Sequence, residues 1–521
     1  MSAAKNTITL EEHQALLSEK DSLIAEQAKS IAEKEQRIAL LEEVVRLQQQ
    51  KRFGSSSEKS PDQQEMFNEA ELADAAEKLL SEQDAETTPP AKTATPVNKK
   101  PGRKPLPADI PRLRVEHDLS EADKQCTCGC QRTLIGEDTS EQLDIIPAKV
   151  QVIVNVRKKY ACKQCEGSIK IADLPPQPIP KSNASPGLLA HIAISKFQDA
   201  LPLYRQEAIL QRSGIELGRN TLASWMIKSG ELIQPLINLL EDKLLAYPVM
   251  HCDETSVQVL KEPGKEATSK SYMWVRVGGP PTQPIRLFHY AASRSGSVAS
   301  DLMAGYQGYL QTDDYAGYNT VAAENRITQL GCWAHARRKF IEAQKASAKN
   351  KKAGKADMAI TFIRKLYAIE KQIADQSPEE KYLARQQQAK LILEELRTWL
   401  DKTLHSTLPK GLLGKAVTYL DKNWDKLTIY TEDGRLSIDN NPAENAIRPF
   451  VVGRKNWLFS ATVPGATASA NLYGLIETAK ANNIDPYNYL RYIFKELPGA
   501  QTVEQVEQLL PWNTELQDGV Y

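Results

Sequence analysis

No run of eighteen apolar residues occurs anywhere in the 521 residues, and no basic segment followed by an apolar stretch opens the chain. A membrane-spanning helix and a secretory leader are therefore not expected. Net charge is absent as well, with 66 Lys and Arg against 66 Asp and Glu. That balance is a sum of opposites. Residues 1–95 carry 11 basic and 19 acidic side chains, leaving 55 against 47 for residues 96–521, so an acidic head masks a mildly basic body. Cysteine is scarce and odd in number. Five of the seven cluster at 126, 128, 130, 162 and 165, while Cys252 and Cys332 stand alone. This excludes a disulfide framework and fits a cytoplasmic protein with reduced thiols.

Glycine and proline are missing between residues 17 and 45, where Leu17, Ile24, Ile31, Ile38 and Val45 recur every seven positions among Glu, Lys, Gln and Ala. The spacing predicts a coiled-coil helix over 1–53. The second apolar seam is incomplete, which leaves open a lone amphipathic helix lying on another domain. Large apolar residues then become rare over 54–109, a flexible linker ending in the basic run NKKPGRKP at 98–105, which can enter a DNA minor groove or simply be solvated.

Residues 110–180 hold the clustered cysteines around Val150-Gln-Val-Ile-Val-Asn-Val156, whose period of two and β-branching predict a strand. Four soft ligands from two knuckles satisfy tetrahedral zinc. The motif CKQC supplies Cys162 and Cys165, and CTCGC offers Cys126, Cys128 and Cys130 for the other two places. Such a site has no open coordination position and is structural; buried free thiols are the alternative. Over 181–246 the apolar spacing turns helical, and the piece from Tyr204 to Gly230 reads helix, Gly214 turn, helix. That is a helix-turn-helix candidate, with Arg219, Asn220, Ser224 and Lys228 near one face of its second helix as DNA contacts. Two helices around a glycine also occur in any α domain.

From Tyr247 the pattern switches to strands at 249–259, 272–277 and 285–291, a helix near 297–305 and a strand at 309–312. This order predicts a ribonuclease-H-like α/β domain over 247–470, interrupted by a helical insertion at about 341–430. A C-terminal helical segment over 471–521 completes a multidomain α+β chain. Asp253 lies in the first strand, Asp313 at the end of the fourth and Glu444 at the start of a helix. Carboxylates converging from two strands and a helix supply the shared hard oxygen ligands that two divalent ions need for phosphodiester chemistry. Each has a plainer reading. Glu254 and Asp314 are adjacent carboxylates that a period-two strand points to the opposite face, the sequence leaving open which neighbour faces inward, and Asn441-Pro442 followed by Glu444 also reads as a capped helix start. Arg454 and Lys455 can hold phosphate, and Trp457 can stack on an unpaired base or belong to the core. His335, in CWAHARRKF, can approach the active site, although a helix-surface histidine is the commoner outcome.

The ordered pieces RFGSSSEK (52–59), IGEDTSEQLDIIPAKVQVIVNVRKKYAC (135–162), HCDET (251–255), LQTDDYAGYN (310–319), GCWAHARRKF (331–340), DNNPAENAIRPFVVGRKNWLFS (439–460) and LYGLIETAKANNIDPYNYL (472–490) resemble transposases of the insertion-sequence 66 family along nearly the whole chain. The resemblance implies a DDE-type transposase that binds its element's ends and performs DNA cleavage and strand transfer with Mg²⁺ or Mn²⁺ on Asp253, Asp313 and Glu444. It also implies a zinc-binding module and a bacterial, nucleoid-associated location. Implied partners are terminal inverted repeats and target DNA, further copies in a homo-oligomer and small accessory proteins of the same element. Three departures stand out. Asp314 replaces a usual glycine, Asn445 replaces a usual arginine, and CTCGC replaces a paired cysteine before glycine. From the residues alone, a non-catalytic DNA-binding regulator and a hydrolytic nuclease are the competing functions.

Overall fold

The computed structural model describes residues 150–161, 169–346 and 354–514 continuously, 20–31 as one helix, and scattered positions elsewhere before residue 150. In the leading helix every described side chain is exposed. Leu23, Ile24 and Ile31 are more than half exposed, as are Ile38 and Leu41 beyond it. Residues 77–156 form a compact unit of their own, in which Arg114 pairs with Glu116 at 3.1 Å and Glu137 at 2.6 Å. The alternating segment 150–156 is exposed and belongs to no strand. Alternation and β-branching favour extended backbone, but a strand also needs a hydrogen-bonding neighbour that periodicity does not encode. Pairing starts later, with β1 (Lys159–Tyr160) antiparallel to β2 (Lys170–Ile171).

The main body begins with four helices, α1 (Pro186–Phe197), α2 (Leu203–Arg212), α3 (Arg219–Leu232) and α4 (Gln234–Ala246). Ser185 caps α1, its Oγ accepting the Leu188 N–H at 3.1 Å with proline at the first helical position. Gly214, at φ +78°, supplies the left-handed residue of the turn from α2 to α3. The apolar side of α3, with Leu222, Trp225 and Met226, is buried.

The sheet follows as β3 (Val249–Lys261), β4 (Lys270–Gly278), β5 (Ile285–Ala291), β6 (Tyr309–Gln311) and β7 (Thr328–Leu330), with α5 (Gly296–Leu302) before β6 and α6 (Gly317–Asn325) after it. Spatial order is β5-β4-β3-β6-β7. The first three strands pair antiparallel and β3-β6-β7 pair parallel. The near-continuous burial of β4 and the interior half of β3 reflects a sheet covered on both faces.

Helices α7 (Trp333–Ala346), α8 (Lys355–Gln372), α9 (Pro378–Ala384), α10 (Lys390–His405), α11 (Leu412–Lys422) and α12 (Trp424–Thr428) build a second core around Trp333, Phe340, Ile363, Leu396 and Leu420. The chain then returns to the sheet through α13 (Asn441–Trp457), which packs on β3 and β4, and β8 (Ser460–Thr462), which pairs with the far end of β3. Helix α14 (Val463–Ala481) runs unbroken through position 470 and lies against β5 and α3. At the α3 crossing a Cβ on Gly230 would sit 2.6 Å from Ala468, so only glycine permits this approach. Helix α15 (Pro486–Glu496) packs on α1, which ties the C-terminal helices into the same core as the sheet.

Candidate active site

Parallel pairing sets the first two carboxylates side by side. His251 of β3 is level with Gln311 of β6. Two residues further along each chain come Asp253 and Asp313, the second just past the end of its strand. Asp253 Oδ1 accepts the Glu254 N–H at 2.9 Å, and Asp313 Oδ1 accepts the Tyr315 N–H at 3.0 Å. Burial raises the Asp253 carboxyl well above the usual carboxylate range, and the charges of Glu254 and Asp313 push it further. Glu254 is raised for the same reasons, burial first and the Asp313 charge next, with Arg294 and Tyr318 opposing.

Arg294, in the loop between β5 and α5, joins these acids. Its Nε donates to Glu254 Oε1, its Nη2 lies 3.5 Å from Asp313 Oδ2, and its guanidinium stacks 3.8 Å over the Tyr315 ring. The Tyr318 hydroxyl donates to Glu254 Oε2 at 2.5 Å and lies 3.3 Å from Cys252 Sγ. Glu254 is thus a sequestered acid held by an arginine and a tyrosine. Asp314 points elsewhere. Its Oδ2 accepts Asn423 Nδ2 at 2.9 Å, and Lys426 is 3.5 Å from its Oδ1, so it fastens the helical insertion. Its φ of +71° is the left-handed conformation that swings it away.

Glu444 sits in the first turn of α13. Asn440, at the helix N-cap, uses its side chain on the sheet: Nδ2 donates to the Cys252 carbonyl at 2.9 Å, and Oδ1 is 3.3 Å from His251 Nδ1. Burial drives His251 down to about 4, so its ring is neutral at physiological pH. The Asn440 side chain makes no cap hydrogen bond, and Asp439 Oδ1 instead accepts the Asn441 N–H at 3.2 Å. The capping-box alternative for Glu444 therefore fails, because Asn440 rather than Asn441 is the cap and its side chain is committed to β3. Asn440 anchors the start of α13 one residue before Asp253. Glu444 Oε1 is 3.8 Å from His335 Nδ1, and Cys332 Sγ belongs to the same cluster. His335 is one-fifth exposed and faces this carboxylate, a correction to the surface reading.

The remaining sequence candidates divide. Arg454 Nη1 lies 3.4 Å from Ser256 Oγ, three residues beyond Asp253 on β3, and Lys455 beside it is exposed. Trp457 is half-buried against the core, with Lys196 Nζ 4.1 Å from its ring. Burial lowers that lysine to about 8. Arg219, Asn220, Ser224 and Lys228 are all exposed on α3. The last three line an open groove of about 550 Å³ completed by residues 179–183. Among the zinc candidates only Cys130 is described, and it is exposed; Cys126, Cys128, Cys162 and Cys165 lie outside the described residues.

Sequence reasoning missed Arg294, Tyr315, Tyr318 and Asn440. The paired asparagines of DNNPAEN carried a hint of the last, since a helix start needs only one cap.

Comparison with known proteins gives consistent matches. Residues 181–468 match the family described as transposase IS66 family, and 474–512 match the IS66 C-terminal element. Residues 123–166 match the zinc-finger binding domain of transposase IS66, and 40–115 a family described as transposase C of IS166 homeodomain. Two uncharacterized proteins of Sinorhizobium fredii are similar over most of their length. For y4jD the identity is 32% over 78% of this chain and 81% of the relative; for y4hP it is 32% over 80% and 77%.

Proposed function

The chain belongs to the IS66 transposase family, and on that premise we propose that it binds the ends of its own element, cleaves there, and joins the freed 3′ hydroxyl to target DNA at a site made by Asp253, Asp313 and Glu444. The observation that carries this reading is the parallel pairing of His251 with Gln311, which brings Asp253 on β3 and Asp313 just beyond β6 into one place, with the Glu444 helix anchored to β3 by Asn440. The strand order β5-β4-β3-β6-β7, three antiparallel strands continued by two parallel ones, supports the reading of a ribonuclease-H-like domain.

The residues fit divalent ions. Burial raises both Asp253 and Glu254, the Asp313 charge adds to both and the Glu254 charge adds to Asp253, a cost that a dication at Asp253 and Asp313 would offset. Asp253, Asp313 and Glu444 would hold Mg²⁺ or Mn²⁺. When bound, such ions activate the attacking hydroxyl and offset charge on the leaving oxygen. In cleavage a water oxygen bonds to phosphorus as the 3′ oxygen leaves; in joining that 3′ oxygen attacks a target phosphorus and displaces another 3′ oxygen. Arg294 keeps Asp313 and Glu254 from repelling each other apart. Arg454 and Lys455, in the last turn of α13 and with Arg454 reaching Ser256 of β3, hold flanking phosphates.

DNA-end recognition is assigned to the exposed face of α3, Arg219, Asn220, Ser224 and Lys228, together with the cysteine module, in which Cys162, Cys165 and two of Cys126, Cys128 and Cys130 bind Zn²⁺. Trp457 serves the core, capped by Lys196. The exposed Ile24, Ile31 and Ile38, seven apart, support self-association of the leading helix in a homo-oligomer. No helix among the described residues is long and apolar enough to cross a membrane.

The test is a strand-cleavage and joining assay on the element's terminal DNA with purified protein. Cleaved and joined products are expected with Mg²⁺ and neither with chelator or with Asp253→Asn. Hydrolysis without joining would make the chain a nuclease, and end binding without either reaction a regulator.

A further inference from the structure

We infer that Cys332, His335 and Glu444 form a separate site for one transition-metal ion of the zinc class. The site's bearing on catalysis rests on the reading of Glu444 as a catalytic carboxylate, whereas the binding does not.

Cys332 follows β7, and His335 lies three residues on in the first turn of α7, the spacing that brings two side chains to one side of a helix start. Glu444 meets them from the first turn of α13. One ligand atom from each lies within 4.8 Å of both others, and His335 Nδ1 is 3.8 Å from Glu444 Oε1. Tetrahedral zinc, with bonds of about 2.0–2.3 Å, sets its ligands roughly 3.3–3.8 Å apart, so small side-chain adjustments close this cluster on an ion.

The donor set selects the ion. A thiolate, an imidazole and one carboxylate oxygen suit Zn²⁺ and its neighbours, whereas Mg²⁺ requires six hard oxygens in octahedral order. Charge closes as well, because a thiolate and a carboxylate neutralise a dication, with His335 neutral. The Asn440 N–H points at Cys332 Sγ from 3.3 Å, an outer contact that steadies a thiolate. Cys332 is fully buried, while the Glu444 and His335 side chains are 10% and 20% exposed. The open side leaves a fourth position for water, as in three-ligand zinc sites. An ion on Glu444 Oε1 also leaves the other carboxylate oxygen to serve a metal held by Asp253 and Asp313. In this arrangement Cys332 and His335 are positioning residues for Glu444.

The experiment is metal analysis of full-length protein, wild type against His335→Gln and Cys332→Ser, followed by Co²⁺ replacement. Wild type should carry about one more zinc per chain than either variant, whatever the cysteine module at 126–165 contributes to both. Its Co²⁺ spectrum should contain thiolate charge-transfer absorption that Cys332→Ser loses in part. Equal zinc content in wild type and folded His335→Gln would overturn the site. Cys332 is buried and its variant can unfold, so far-UV dichroism screens both, and His335→Gln, at the most exposed of the three side chains, is decisive alone. Glu444→Gln separates the two readings. Loss of zinc with cleavage intact would keep this site and sink the catalytic role; loss of cleavage with zinc intact would do the reverse.

Discussion

Two adjacent aspartates with opposite fates show how much one backbone angle decides. Asp313 keeps its carboxylate beside Asp253, whereas Asp314, at φ +71°, turns its own to Asn423 and Lys426. A non-glycine residue there costs about 1–2 kcal/mol, which accounts for glycine in the family pattern. Asp314→Gly should therefore keep cleavage within about threefold of wild type, while Asp313→Asn loses it; the opposite result in a side-by-side assay would reassign the metal ligand. Asp253 has a measurable cost of its own. A carboxyl raised by folding keeps its proton in the folded state where the unfolded chain has released it. Stability therefore falls as pH rises from near 4, the unfolded value, through the raised folded value, and stays low above it. Asp253→Asn should raise the metal-free Tm at pH 8, and the gain should vanish near pH 4. A lower Tm at pH 8 would mean that the charged carboxylate is stabilising instead. Of the residue-level features, Asp253 was visible as a carboxylate in an apolar strand, whereas the choice of Asp313 over Asp314 came from the family resemblance. Arg294 was not visible, because a loop arginine reads as solvated until the fold closes it over Glu254.

Elements with strong periodicity were the most legible. The sequence reading of strands at 249–259, 272–277 and 285–291 differs from β3, β4 and β5 by two residues or fewer at each end. Alternation and burial reinforce each other there. The segment at 150–156 shows the limit, since its alternation is equally clean and yet it enters no strand. The start of α13 shows another: Asn440 and Asn441 are equivalent as caps in sequence, and only the neighbouring Cys252 carbonyl selects the first. For α3 the exposed face supports a prediction about DNA. Arg219→Ala and Lys228→Ala should each weaken end binding and lower the slope of log affinity against log salt by about 1, as one released counterion fewer requires. Cleavage at saturating DNA should be little changed. An unaltered salt slope in a binding titration would remove α3 from the interface.

Across the whole molecule, the parts that define chemistry and the parts that define partners are read from different signals. The body from α1 to α15 is one packed core with a second helical core inserted before Glu444, and that insertion explains why the third carboxylate is so distant in sequence from the first two. The charge split between an acidic head and a basic body favours DNA contact through the body. The central claim is that three carboxylates from β3, the end of β6 and α13 act as one site. Glu444→Gln tests it most directly, because the amide preserves shape and helix propensity while removing one negative charge. Cleavage of terminal DNA in Mg²⁺ should fall by about a thousandfold or more, the order expected when a preorganised charge at the reacting centre is lost, with end-binding affinity unchanged. Full cleavage by Glu444→Gln in Mg²⁺ would contradict the account.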